Sequence, residues 1–274
     1  ITQDGGCPQA NCVKPCCEQK WSNIKEQKMV TSLGIWDDIS KKKWLIEATP
    51  DFKHQLSLLN KISNNNNFLK GVFITHAHVG HYSGLINFGK EIMNSRDVDV
   101  YVMPRMKLFL ENNAPWSQLI KEKNIILNSI FHDKVIMLNE SLSLKPILVP
   151  HRDEYSETVG FFIYGPNKKV LFIPDIDKWH KWDQDISSLI KEVDLAFLDG
   201  TFFDHKEFPD RDISKIPHPF ILESINLFSK LSKFEKQKIH FIHFNHTNPV
   251  LSNNYKNDLI SDFNLSKQGS TFCL

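Results

Sequence analysis

Apolar positions along the chain fall in short blocks, most of them too short for a helix and the right length for a strand. The run Leu69-Lys70-Gly71-Val72-Phe73-Ile74-Thr75 has the length of a buried strand. Residues 27–36 and 43–48 read as a strand pair around the turn Asp37-Asp38-Ile39-Ser40. Thr49-Pro50-Asp51 then opens a short helix carrying Leu56, Leu58 and Leu59. Further strands are expected at 98–103, 134–138, 144–149, 158–164, 169–174, 194–198 and 238–243. Helix is expected at 83–93, in pieces up to about residue 121, near 219–232 and near 255–263. Asn64-Asn65-Asn66-Asn67 reads as a loop. No Gly/Ser-rich linker separates the halves. The pattern therefore predicts one domain over 1–274, of mixed α/β (α+β) class, with two sheets face to face and helices outside. That is an αββα four-layer sandwich.

Composition narrows the partners. The 33 basic and 32 acidic residues leave a formal charge of +1, so no global field draws the chain to nucleic acid. No apolar run reaches the ~18 residues of a membrane span. A small-molecule substrate is the expected partner, and neither oligomeric state nor compartment is legible. The chain opens on Ile1 rather than Met, and the natural start is expected upstream.

Four of the five cysteines, Cys7, Cys12, Cys16 and Cys17, lie within eleven residues. Such clustering in an otherwise cysteine-poor chain points to a structural zinc ion or a local disulfide. The spacing Cys12-x3-Cys16 suits a zinc clamp that Cys7 or Cys17 would complete.

The chemistry concentrates where strands end. Residues two apart in an extended segment point the same way, so His76 and His78 leave the strand 69–75 together, as two imidazoles sharing an ion must. His81 follows at the start of the next helix. His151 follows the strand at 144–149, Asp175 ends the run Val170 to Pro174, and His243 ends Ile239 to Ile242. Imidazoles and a carboxylate gathered at strand ends suit zinc, iron or manganese. Asp199, His246, the Arg152-Asp153-Glu154-Tyr155 segment, Trp179 and Trp182 are weaker candidates. Asp199 could hold a ligand imidazole. His246 could serve as a replacement ligand or support one. The segment could line a pocket, and the tryptophans read as packing.

The order His76-x-His78-x-x-His81, then His151, Asp175 and His243, resembles the ligand order of the metallo-β-lactamase superfamily over nearly the whole chain. The resemblance implies one ion on His76, His78 and His151, a bridging Asp175, and a second ion on His81 and His243. The superfamily usually has Asp directly before the third histidine. Gly80 stands there in this chain, so the second ion is expected to bind more weakly. Gln3-Asp4-Gly5-Gly6, Pro8-Gln9, Asn11-Cys12, Asp199-Gly200-Thr201-Phe202 and His243-Phe244-Asn245-His246-Thr247-Asn248-Pro249 resemble the pyrroloquinoline quinone biosynthesis protein B group within that superfamily.

Two functions follow as expectations. The first is hydrolysis of an ester, amide or phosphoester by a zinc-bound hydroxide, with Asp175, Asp199 and His246 as catalytic residues. The second, which the quinone-group resemblance implies, is iron-dependent oxidation of a tyrosine-derived precursor. A metal-binding relative without turnover is a third.

Overall fold

The computed structural model describes residues 1–64, 66–208, 212–252, 255 and 257–274. Asn65 of the asparagine tract and Lys256 of the expected last helix lie outside them. The chain divides into two compact units. The smaller comprises Met29–Phe131 and Asp153–Thr158. The larger comprises Ile1–Lys28, His132–Arg152 and Val159–Leu274. The mixed α/β class with two sheets and interspersed helices is thus what the chain adopts.

The smaller unit holds five strands in sequence order: β1 (Leu33–Asp37), β2 (Lys42–Ile46), β3 (Gly71–Phe73), β4 (Val98–Val102) and β5 (Ile125–Ser129). β1 and β2 form an antiparallel hairpin, and β2 through β5 run parallel. β3 is buried throughout, which is why its sequence reads as a continuous apolar run rather than an alternation. Its core includes Leu45, Val72, Ile74, Phe88 and Val100.

Seven strands form the sheet of the larger unit: β6 (Ile136–Met137), β7 (Ser143–Leu148), β8 (Val159–Tyr164), β9 (Lys169–Ile173), β10 (Leu195–Asp199), β11 (Ile239–Ile242) and β12 (Asn264–Leu265). β6 to β9 alternate in direction, whereas β9, β10, β11 and β12 run parallel. Parallel neighbours place their carboxyl ends at one edge of the sheet. β7 points the same way as β9, because β8 lies antiparallel between them. Leu171, Ile173, Leu198 and Phe241 anchor these strands in the larger unit's core.

Several elements differ from expectation. The strand expected from residue 27 begins at Leu33, because Lys28 exchanges both backbone hydrogen bonds with Cys7 instead. The helix expected at 83–93 is a helical turn Val79–Tyr82 followed by a 3-10 segment Ser83–Phe88. A Cβ at Gly84 would lie 2.2 Å from the Thr49 carbonyl oxygen, so this approach needs glycine. β5 and the helices Pro15–Ser22 and Ile186–Lys191 were not expected. The last helix is reduced, among the described residues, to the 3-10 turn Asp258–Ile260.

Candidate metal centre

In the smaller unit, β3 delivers Thr75 and His76 into a buried turn, and the helical turn that follows brings His81 back beside it. The His76 and His81 rings lie 4.1 Å apart, and His76 Nε2 is 2.8 Å from His78 Nδ1. Behind His81 stands Glu47, fully buried, with Oε1 3.3 Å from His81 Nδ1. At that distance the carboxylate is a charge partner for the buried imidazole. Glu154 Oε2 lies 3.1 Å from His78 Nε2. Ser156 Oγ accepts from the backbone N–H of Ala77, and fixes the turn between the two histidines.

The larger unit gathers its groups along the carboxyl edge of β7, β9, β10 and β11. Asp175 lies just past β9, and its Oδ1 meets His151 Nε2 at 3.4 Å and His218 Nδ1 at 3.1 Å. Its Oδ2 lies 3.9 Å from His243 Nε2. Burial alone would raise the Asp175 carboxyl, but the charges of His151, His218 and His243 outweigh it and hold the group well below the usual carboxylate range. Asp199, the last residue of β10, accepts from the Thr201 N–H and hydroxyl through Oδ1 at 2.9 and 2.6 Å. The Thr201 hydroxyl has one proton and gives it to Asp199. The 2.9 Å contact between Thr201 Oγ1 and His243 Nδ1 therefore has the imidazole as donor. His243 Nε2 is left as the lone-pair nitrogen, turned towards Asp175. His243 has φ 63°, in the left-handed region, so its side chain leaves the strand end at an angle that extended backbone would not provide.

Asp175, Asp199, His218 and His243 are all buried, and each offers a ligand atom within 4.8 Å of the others. Two carboxylates and two imidazoles removed from water are an expensive arrangement on their own. They are a fitting donor set for a divalent ion.

At the amino terminus, Cys12, Cys16, Cys17 and His246 likewise place four ligand atoms within 4.8 Å. His246 Nδ1 lies 3.3 Å from Cys17 Sγ and 3.5 Å from Cys16 Sγ. This set suits a tetrahedral zinc ion. The five cysteines are free thiols, with Cys16 and Cys17 sulfurs 3.9 Å apart, so the disulfide alternative is not what the structure contains. Cys7 stands outside the set of four: its sulfur accepts from Lys20 Nζ at 3.2 Å. The neighbours Cys16 and Cys17 both contribute because the helix Pro15–Ser22 begins there, and its turn brings both sulfurs within reach of His246.

The expectation for His246 as a catalytic residue thus needs correction, since the structure places it with the cysteines. Asp199 stands where a ligand imidazole can be held. Trp179 and Trp182 pack in the core and donate to Ser224 Oγ and the Leu148 carbonyl oxygen. Two residues escaped the sequence reading: Glu47 and His218. Glu47 follows β2 as an acid at a strand end, the signal that found Asp175. His218 follows no strand, but it sits between Pro217 and Pro219, and prolines on both sides restrict its backbone.

Comparison with known proteins agrees with this architecture. A family model described as a Beta-lactamase superfamily domain matches residues 42–244. Coenzyme PQQ synthesis protein B of Methylorubrum extorquens strain PA1 is 23% identical over 270 residues, covering 90% of this chain and 88% of that protein. The protein of the same name from Acinetobacter baylyi is 23% identical over 276 residues, with the same coverage. Among solved structures, Zn(2+)-bound PqqB from Methylobacterium extorquens superposes with a TM-score of 0.81 at 19% identity, covering 100% of this chain and 97% of that one. A diphosphatase from the PhnP family gives 0.69 at 18% identity, covering 98% and 92%. At such identities the structural likeness speaks for the fold alone. With the family model spanning most of the chain and relatives matched along nearly its full length, this protein belongs to the metallo-β-lactamase superfamily and is similar within it to pyrroloquinoline quinone biosynthesis protein B.

Proposed function

We propose that this chain is a metal-dependent hydrolase acting on an ester, amide or phosphoester bond of a small molecule. The observation that carries the reading is Asp175, buried and facing the imidazoles of His151, His218 and His243. His76, His78, His81, His151, Asp175 and His243 are the proposed ligands, on their order along the chain and on family membership. A bound divalent ion supplies Lewis-acid polarisation and brings the pKa of its water towards about 7. The remaining work falls to the chain's own groups. Asp175 stays ionised throughout the neutral range, so it can hold and orient an attacking water, while a carboxyl held that low is a weak acceptor for the water's proton. Asp199 and Thr201 hold the tautomer of His243, and Glu47 stands at ion-pair distance from His81.

The likeness to coenzyme PQQ synthesis protein B favours a second reading, a related role in making that coenzyme through iron-dependent oxidation. One experiment separates the two. Metal-analysed protein is assayed against a generic phosphodiester and ester panel, in air and under nitrogen. Hydrolysis indifferent to oxygen and lost in Asp175→Ala supports the first reading. Turnover that requires ferrous iron and oxygen overturns it in favour of the second.

A further inference from the structure

The superfamily's usual carboxylate at position 80 is missing here, which removes one oxygen donor from the expected second site. The larger unit contains a group that the family order does not account for. We propose that His218 is a direct metal ligand, joining Asp175 and His243 as the third protein donor. The inference rests on the metal-dependent reading above.

Four observations converge on this assignment. His218 is 5% exposed, and its Nδ1 lies at the meeting point of two buried carboxylates, 2.9 Å from Asp199 Oδ2 and 3.1 Å from Asp175 Oδ1. Such a point is where a divalent cation is best compensated. Asp199 is already engaged by the chain itself. Its Oδ1 takes two hydrogen bonds from Thr201, and its Oδ2 takes the Ile176 N–H at 3.2 Å besides His218. A carboxylate so occupied has fewer lone pairs left for an ion. Asp175 faces the imidazoles of His151, His218 and His243. It approaches His218 more closely than it approaches His243, at 3.1 against 3.9 Å.

The backbone supports a fixed position. Phe202 and Phe220 form a parallel bridge, and the Ile221 N–H donates to the Phe202 carbonyl at 2.9 Å. The Pro217-His218-Pro219 segment therefore lies alongside the residues that leave β10. Phe202, Ile216 and Phe220 form a small apolar cluster around it. With an ion held there, His218 would have lost its Nδ1 proton to solvent, and the Nδ1 lone pair would replace its hydrogen bonds to Asp175 and Asp199. The resulting set of two histidines and one carboxylate suits iron, manganese or zinc.

The test titrates metal-free full-length protein with Mn2+, reading free Mn2+ by its EPR signal. Mn2+ prefers oxygen and nitrogen donors to the cysteine site. A His78→Ala background confines the measurement to the larger unit's donors. The expected result is a loss of about a thousandfold or more in Mn2+ affinity for His218→Gln, beyond the roughly 10–100-fold that a merely supporting residue costs. His218→Glu, which restores a donor atom, should stay within about tenfold of the parent. An ion-pair role for His218 predicts the reverse, because a third carboxylate would then be the worse substitution. Unchanged affinity in a normally folded His218→Gln protein overturns the assignment. If the glutamine variant does not fold, the glutamate variant decides: retained affinity supports ligation, and loss of binding overturns it. A parent protein that binds no metal under any condition brings down the proposed function itself, a result distinct from an indifferent His218.

Discussion

Glu47 and His243 each follow the last residue of a strand in left-handed backbone, with φ of 77° and 63°. Glu47 is fully buried, its Oε2 accepts from the Thr75 N–H at 3.4 Å, and its Oε1 faces His81. Two opposed effects act there. The carboxylate is the polar partner of a buried imidazole, while the backbone conformation costs a non-glycine residue about 1–3 kcal/mol. Glu47→Ala keeps the strain and loses the partner, so it should destabilise by about 3 kcal/mol. Glu47→Gly loses the partner and relieves the strain, and should be milder by about 1 kcal/mol. Urea unfolding of both variants checks this, and equal midpoints would remove the case for strain. For His78 the prediction concerns binding: His78→Ala should reduce bound metal by about one ion per chain, measured by elemental analysis after removal of the cysteine-bound fraction. Full metal content in that variant would show that His78 is no ligand. The histidines at 76, 78 and 81 were legible because an apolar run leads straight into them. His218 was not, because a residue brought in by a loop carries no periodicity, and its nearness to Asp175 depends on the pairing of Phe202 with Phe220. Histidine 246 read as part of the chemistry since it stands three residues from His243, yet the chain turns within that interval.

At the scale of elements, what makes the donor edge is parallel pairing. β9, β10 and β11 each end in or next to a carboxylate or an imidazole, and their register sets Leu198 opposite Ile173 and Asp199 opposite Ile242. A slip of one residue would turn Asp199 to the other face of the sheet. The antiparallel neighbour β8 secures that register from the far side. Gly160 in β8 leaves room for β9: a Cβ there would meet Ile173 Cγ1 at 2.7 Å and the Phe172 carbonyl oxygen at 2.8 Å. Gly160→Ala should therefore cost about 1–3 kcal/mol by overpacking and weaken metal binding as well, since Asp175 lies two residues beyond Ile173. Thermal melting with and without Zn2+ measures both effects. If stability falls with metal affinity untouched, the strand and the site are less coupled than their geometry implies. The buried strands were readable as apolar runs, whereas β5, with partly exposed faces, and the helix Pro15–Ser22, weakly patterned, were not. That helix starts on Pro15, which suits a first helical position, and it carries two of the four cysteine-site donors. Replacing Cys12 and Cys16 together by serine should lower the melting temperature, and a chelator should bring the unaltered protein down to a similar value. Identical melting curves for variant and parent would argue against a structural ion.

Across the whole molecule, the larger unit is assembled from three separate stretches of chain, the first of them Ile1–Lys28. Ile1 and Gln3 exchange backbone hydrogen bonds with Phe244, and the cysteine donors complete their set with His246. Among the described residues no helix is long and apolar enough to cross a membrane, and near neutrality of charge was readable directly from composition. This discontinuity was not, because nothing in the local pattern of residues 1–28 says that their partners lie more than two hundred positions away.

It has a consequence for biosynthesis. Residues 1–28 leave the ribosome before residues 29–131, which follow with most of what their own unit needs. At roughly 5–20 residues per second, tens of seconds pass before His246 emerges. During that interval Cys12, Cys16 and Cys17 await a ligand that has not been made. Chains stalled near residue 200 should leave Cys16 and Cys17 open to a thiol-reactive label, and released chains should protect them. Protection already in the stalled chains would mean that the cysteines find another partner first. A nascent chain of this kind is exposed to oxidants and stray soft metals for most of its synthesis, and its yield should depend on the thiol redox state of the cell that makes it.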